Sequence, residues 1–373
     1  MPIVDLFDGA PSTPVSRFAQ RSLAAVISNQ MWMNVKAAHN GFDTANVGAT
    51  VRWRESARLV SCSQVGAGAW LMRLPDQSLI RSVVPSATFL LLCQRRLGLY
   101  LTALAPVLDA RAAHGATITQ HDRLGDAAIN AANKTHRHNE GLRATFTALS
   151  ALSTASQPPG ALILGDRGDG TRVSKEEARQ RYAHVNSGHI PDAIRHSTPP
   201  FCYEFKAYTP MVVSGALGNG SNDCGGAPST TDGGSFAFGN TEEALRARVY
   251  GLTARGAPAD GPLNRRTGTG WVKSSAGDYA DALSKGHGVL MLGMESTGAL
   301  FTPFVLMLKT LGKLSTAPGT HDSTIYGTAR ASPQTFFRHH VAAISSAVVL
   351  ADALSVLNSA ATMSFKLTQG IFA

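Results

Sequence analysis

One run of eight residues, Phe201-Cys202-Tyr203-Glu204-Phe205-Lys206-Ala207-Tyr208, limits the folds open to this chain more than any other stretch. It has alternating aromatic residues, no Gly, and a Pro on each side, which is the composition of a strand. Side chains on a strand alternate between faces. Phe201, Tyr203, Phe205 and Ala207 therefore share one face, a natural core face. Cys202, Glu204, Lys206 and Tyr208 share the other, and Asp192 lies a short hairpin upstream after Ile190 and Pro191. Two acids and a lysine are the groups a metal-dependent phosphodiesterase needs. The acids hold Mg²⁺, the ion lowers the pKa of water, and the lysine orients that water and offsets phosphate charge. The simpler account of the same residues is a strand carrying an exposed ion pair.

A chain of 373 residues has room for one large domain or two ordinary ones, and 44% apolar residues suffice for a packed core. Charged residues make up only 16%, low for a solvated surface. The net charge of +9 and pI near 9.6 favour a polyanionic partner, nucleic acid or an anionic membrane surface. The four cysteines are far apart with no C-x-x-C pair, which argues against a disulfide framework and a closed cysteine zinc site. The first residues lack the apolar run of a signal peptide. The apolar stretch from Thr88 to Leu108 is broken by Arg95 and Arg96 and fails as a membrane span, so no membrane role is expected.

Periodicity predicts helices over Ser22 to Met33, Pro85 to Leu101, His138 to Leu152, Ser174 to His184, Thr241 to Thr253 and Tyr279 to Ser284, and two apolar helices near the C-terminus. Ser174 reads as an N-cap with Glu176 and Glu177 in the first turn. Glu140 falls near the first turn of its helix, where an acid suits the helix dipole; the alternative role is a third acid beside a metal. Pro158 to Gly170 reads as a loop, and 211–240 as a Gly-rich insertion. Arg265, Arg266 and Lys273 beside Trp271 suit a nucleic-acid backbone or an ordinary charged loop. Val289 to Leu292 is a short apolar run, expected as a buried central strand ended by Glu295. These elements predict an α/β fold with a mainly helical N-terminal region.

Phosphate-binding glycine loops, H-E-x-x-H and G-x-S-x-G are absent from the sequence, and so is any Asp-Asp pair. His121, His136 and His138 lack cysteine partners, and satisfied histidines are their simpler account.

Several stretches taken in order resemble one family. Gly66 to Pro75 and Leu90 to Leu99, with Arg95-Arg96-Leu97-Gly98, resemble the segment after the polymerase domain of non-LTR retrotransposon reverse transcriptases that carry a restriction-endonuclease-like domain. Asp122 to Asp126 and Arg137-His138-Asn139 resemble the next two landmarks. Pro191-Asp192 and Glu204-Phe205-Lys206, followed by Tyr208 to Pro210, look like its PD-(D/E)xK nuclease core, and Met294 to Gly298 is similar to the end of its next core strand. The resemblance covers roughly 60–360. It implies a restriction-endonuclease-like mixed central sheet flanked by helices, with Asp192 and Glu204 as metal acids and Lys206 as catalytic lysine. It also implies DNA cleavage with Mg²⁺ or Mn²⁺, DNA or the RNA–DNA of a retrotransposition complex as partner, nuclear residence, and Arg137 and His138 near nucleic acid. No cysteine lies in 109–133, where the family carries a zinc knuckle, so zinc is not expected, and no polymerase counterpart lies in these residues; the alternatives are a catalytically inactive nucleic-acid-binding remnant and a structural or interaction module whose apolar C-terminal helices pack on a partner. The implied organisation is an ill-defined segment over 1–60, a helical post-polymerase-like region over 61–135, and a nuclease-like domain over 136–373.

Overall fold

The chain divides into two units, Met1–Arg52 and Trp53–Ala373. In the computed structural model the described residues are 58, 61–62, 64–72, 86–118, 120–130, 134–150, 155–156, 174–209, 246–256, 261–315 and 335–370, all in the second unit. The expected helix over Ser22 to Met33, the loop over Pro158 to Gly170 and the insertion over 211–240 lie outside them.

The unit is mixed α/β. Among the described residues its helices include α1 (Ser86–Leu97), α2 (Ala105–Ala113), α3 (Gln120–Arg123), α4 (Asp126–Asn130), α5 (Lys134–Ser150), α6 (Lys175–Tyr182), α7 (Ala280–Ser284), α8 (Thr302–Ser315) and α9 (Phe336–Thr368). Its strands are β1 (Ala155–Ser156), β2 (Ala193–Arg195), β3 (Phe201–Tyr208), β4 (Leu252–Arg255), β5 (Gly270–Lys273) and β6 (Gly288–Glu295). The main sheet runs β1-β2-β3-β6, antiparallel from β1 to β3 and parallel between β3 and β6. β4 and β5 form a separate antiparallel ribbon.

The expected start of α6 holds, whereas α1 ends at Leu97, short of the expected Leu101, and in each case a local chemical signal sets the boundary. Ser174 Oγ accepts the Glu177 N–H at 3.0 Å and starts α6. Gly98, at φ +71°, ends α1 in a left-handed turn that a side chain would resist. Two expectations are corrected. β6 is not central: among the described strands it lies at the sheet edge. It is nonetheless buried from Met291 to Glu295, where the following chain folds back over that edge, Phe301 N–H bonding Gly293 O at 3.0 Å and Glu295 N–H bonding Ala299 O at 2.8 Å. The helix expected to run to Thr253 gives way to strand at Leu252, where β4 begins and pairs with β5.

Both faces of β3 are covered. Tyr203 and Phe205 pack with Leu142, Phe304 and Val348 from α5, α8 and α9. Cys202 and Tyr208 pack with Val249, Tyr279, Met291 and Phe301 on the other side. A third cluster joins α1 and α2 to α9 through Leu92, Leu108, Val349 and Val356. Helix α9 is long and apolar enough to cross a membrane by length and composition, but 72% of its most apolar window is buried within the protein. Its place among all this packing accounts for that composition.

Helix α5 approaches β3 closely because Gly141 has no side chain. A Cβ there would stand 2.5 Å from Phe205 Cζ and 2.7 Å from Val348 Cγ2. Gly141→Ala is therefore expected to destabilise the protein by about 1–3 kcal/mol, despite alanine's better helix propensity. Urea unfolding measures this, and an unchanged or raised midpoint would contradict the close contact.

Candidate functional site

Side-chain alternation puts Glu204 and Lys206 on the same face of β3, two residues apart. That face is interior. Glu204 is fully buried and Lys206 is only 17% exposed, so the exposed-pair account does not hold. The Lys206 ammonium contacts Glu204 Oε1, the Tyr279 hydroxyl donates to Glu204 Oε2, and His189 Nε2 lies 3.2 Å from Oε1. Burial alone would raise the Glu204 pKa, but Lys206 and His189 more than reverse this and hold it well below the ordinary carboxylate range. Lys206 is pulled down by burial and pushed further up by Glu204 and then Asp192, so it stays charged. Burial, then the charges of Glu204 and Asp192, push the Tyr279 phenol well above its usual value, so it remains a donor.

Asp192 sits just before β2. Its N–H bonds Tyr203 O at 3.0 Å and its Oδ2 accepts the Phe205 N–H at 2.7 Å, which fixes the carboxylate against β3. The β2–β3 register, Ala193 opposite Tyr203, carried one step back sets Asp192 across from Glu204. His138 reaches the same place from α5, with Nε2 3.0 Å from Phe205 O and 3.4 Å from Asp192 Oδ2. Burial lowers the His138 pKa, but the Asp192 charge and hydrogen bond outweigh burial and raise it. The Cys202 thiol is pushed up to about 11 by burial and Glu204, which makes it a poor nucleophile.

The other candidate residues fall elsewhere. Two positions beyond His138, about 200° round the helix, Glu140 contacts Arg143 and lies 3.9 Å from His136; the structure does not bring it to the acid pair. Arg137 is not at a nucleic-acid surface. It is 1% exposed and its guanidinium is used internally, bonding Thr209 Oγ1 at 2.6 Å, Asp352 Oδ1 at 3.3 Å and Ala207 O at 3.3 Å. His138 belongs to the acid site instead. Arg265, Arg266 and Lys273 are exposed on the β4–β5 ribbon, Lys273 Nζ bonding Tyr250 O at 2.7 Å. His189 and Tyr279 were not singled out from sequence. The proximity of His189 to Asp192 was a usable signal; nothing local marks Tyr279, which the start of α7 delivers from 75 positions downstream.

Among the described residues no group of three or more His, Cys, Asp or Glu side chains forms a metal cage. Magnesium does not require one, because it is commonly held by one or two carboxylates with water and substrate phosphate completing its shell. The Asp192 and Glu204 carboxylates and the Phe205 carbonyl are hard oxygen donors on adjoining backbone, already drawing the cationic or proton-donating groups Lys206, His138 and His189. This donor set fits Mg²⁺ or Mn²⁺ and has no thiolate to favour zinc. No family model, curated protein or solved structure matches the chain.

Proposed function

We propose that this chain contains a Mg²⁺-dependent DNA endonuclease-like domain of the PD-(D/E)xK type, related to the restriction-endonuclease-like region of non-LTR retrotransposon reverse transcriptases. The observation that carries the reading is the Glu204–Lys206 pair buried at mid-strand, with Asp192 bonded to the intervening Phe205 N–H. A charge pair in an interior costs more to desolvate than a surface pair, so packing alone gives no reason for it. The mixed sheet with helices on both faces supports the restriction-endonuclease-like version of the α/β fold.

In this reading Asp192 and Glu204 hold the ion. Magnesium supplies Lewis acidity toward water and the scissile phosphate. Tyr279 and His189 fix the Glu204 carboxylate so that it need not reorganise. Lys206 keeps its proton and places positive charge where the phosphate oxygens gain negative charge. Water oxygen would bond to phosphorus and release a proton to solvent as the ester P–O bond breaks, and the departing sugar oxygen would take up a proton from solvent. Manganese is expected to substitute for magnesium.

Nicking of supercoiled plasmid tests the proposal. Wild type is expected to nick with Mg²⁺ and not with EDTA. Asp192→Ala and Lys206→Ala are expected to lose at least about 100-fold of the rate, as removal of a preorganised electrostatic group does. Equal nicking by all three proteins would sink the reading.

A further inference from the structure

The stretch from Arg246 to Lys273 carries six basic residues against one acid, Asp260, a net +5 of the chain's +9. Most of that charge sits on the β4–β5 ribbon and its tip, where Arg255, Arg265, Arg266 and Lys273 are exposed. The tip has a defined turn. Asn264 N–H bonds Thr269 O and Gly268 N–H bonds Asn264 O, each at 2.8 Å, and Asn264 Oδ1 accepts the Arg266 N–H at 2.9 Å. Gly270, at φ +131°, lets the tip fold back, since a Cβ would stand 2.6 Å from Pro262 O. The turn thus holds two consecutive arginines at the end of a short ribbon.

The base of the ribbon adjoins the acid site. Asp278 N–H bonds Arg248 O at 2.8 Å, Arg248 Nε lies 3.0 Å from Asp278 Oδ2, and Tyr279 N–H bonds Val249 O at 3.3 Å. The next contact along the chain is the Tyr279 hydroxyl on Glu204. The charged ribbon and the acid pair are therefore linked by one short, hydrogen-bonded segment.

We infer that the β4–β5 ribbon is the element that seats duplex DNA, entering a groove while the backbone beside it is presented to Asp192, Glu204 and Lys206. The inference rests on the endonuclease reading and specifies its substrate as double-stranded. A major groove about 12 Å wide admits a two-stranded β-ribbon. Single-strand binders add exposed aromatic rings on which bases stack. The described ribbon residues offer no such platform: the Trp271 ring is half-buried with the Arg246 guanidinium 4.9 Å from its centre, and the Tyr250 hydroxyl is turned to Val289 O at 3.0 Å. Charge without a stacking surface matches the phosphate walls of a duplex.

The test is binding without Mg²⁺, so that it does not depend on cleavage. A labelled duplex of about 20 base pairs and either of its single strands are titrated with the full chain at several salt concentrations. The duplex is expected to bind at least tenfold more tightly. Arg265→Ala/Arg266→Ala is expected to weaken duplex binding at least tenfold and to reduce the salt slope by about 2. Lys309→Ala/Lys313→Ala, the same charge removed from α8 on the opposite face of the sheet, is expected to change it less than threefold. Equal or tighter single-strand binding, an unaffected tip variant, or equal losses in the two double variants would each overturn the inference. Tip-dependent duplex binding by a protein that fails to nick plasmid would overturn the endonuclease reading and leave the ribbon as a DNA-binding element. Nicking with no effect of the tip variant would do the reverse.

Discussion

Lys206→Met is expected to destabilise the protein by about 3–5 kcal/mol at pH 7, the usual cost of leaving one member of a buried ion pair without its counterion. The variant leaves Glu204 fully buried, with the Tyr279 hydroxyl and His189 as the remaining partners of its carboxylate among the described residues. The double variant Glu204→Gln/Lys206→Met removes both charges and is expected to recover at least half of the lost stability, because a neutral pair has no ionic desolvation to repay. Neither variant is expected to nick DNA. This separates folding from chemistry: a stable, inactive double variant places the pair in the reaction rather than in the scaffold. A double variant as unstable as the single one would show that charge is not what the site contributes to stability. The pH dependence is specific too. The Glu204 pKa is depressed, so its contribution is complete above about 4.5 and lost as pH falls toward the folded value. The Lys206 pKa is raised, so its contribution is complete below about 10.5 and lost as pH rises through the folded value. Without Lys206, burial raises the Glu204 pKa in the variant, so the loss caused by Lys206→Met is expected to shrink as pH falls and the buried carboxylate takes up a proton.

Why the sequence exposed this pair but not its setting follows from the range of each signal. Alternation along Phe201–Tyr208 is local, and it assigned Glu204 and Lys206 to one face correctly. Whether that face meets water depends on Val249, Tyr279 and Phe301, which arrive from far along the chain. An apolar run such as Val289–Leu292 signals burial but not sheet position, because burial at an edge is achieved by whatever folds over it. Arg137 and His138 are neighbours in sequence yet about 100° apart on a helix. One turns to Asp352 and Thr209, the other to Asp192. Glu140 was a reasonable third acid by position, and helical phase alone removes it. The strands β4 and β5 escaped because four residues between glycines and prolines carry too little pattern to distinguish a ribbon from a loop.

Glu295→Gln is expected to stabilise the protein by about 3 kcal/mol at pH 7. Glu295 ends β6 fully buried, and neither carboxylate oxygen makes a hydrogen bond among the described residues. The Ser61 hydroxyl eases its burial only in part, being engaged with Thr297 Oγ1. Burial pushes the Glu295 pKa up to about 8, so the folded protein keeps a proton that the unfolded chain releases above about 4.5. Stability from this group is complete below pH 4.5 and declines as pH rises to about 8. His340 acts in the opposite sense. Burial, with the neighbouring His339 charge, lowers its pKa to about 4, so stability is complete above 6.5 and declines as pH falls toward 4. Between pH 4.5 and 6.5 the two slopes oppose each other, and the wild-type profile should be nearly level. Above 6.5 the contribution of Glu295 continues without that of His340, and stability should fall toward pH 8, with the raised His138 pKa adding in the same direction. Glutamine at 295 removes one slope and exposes the other, so stability should rise from pH 4.5 to 6.5. The measurement is urea unfolding of both proteins from pH 4.5 to 8.5. Their difference should grow steadily with pH and level off near 8; a constant offset would mean that Glu295 does not hold its proton in the folded protein.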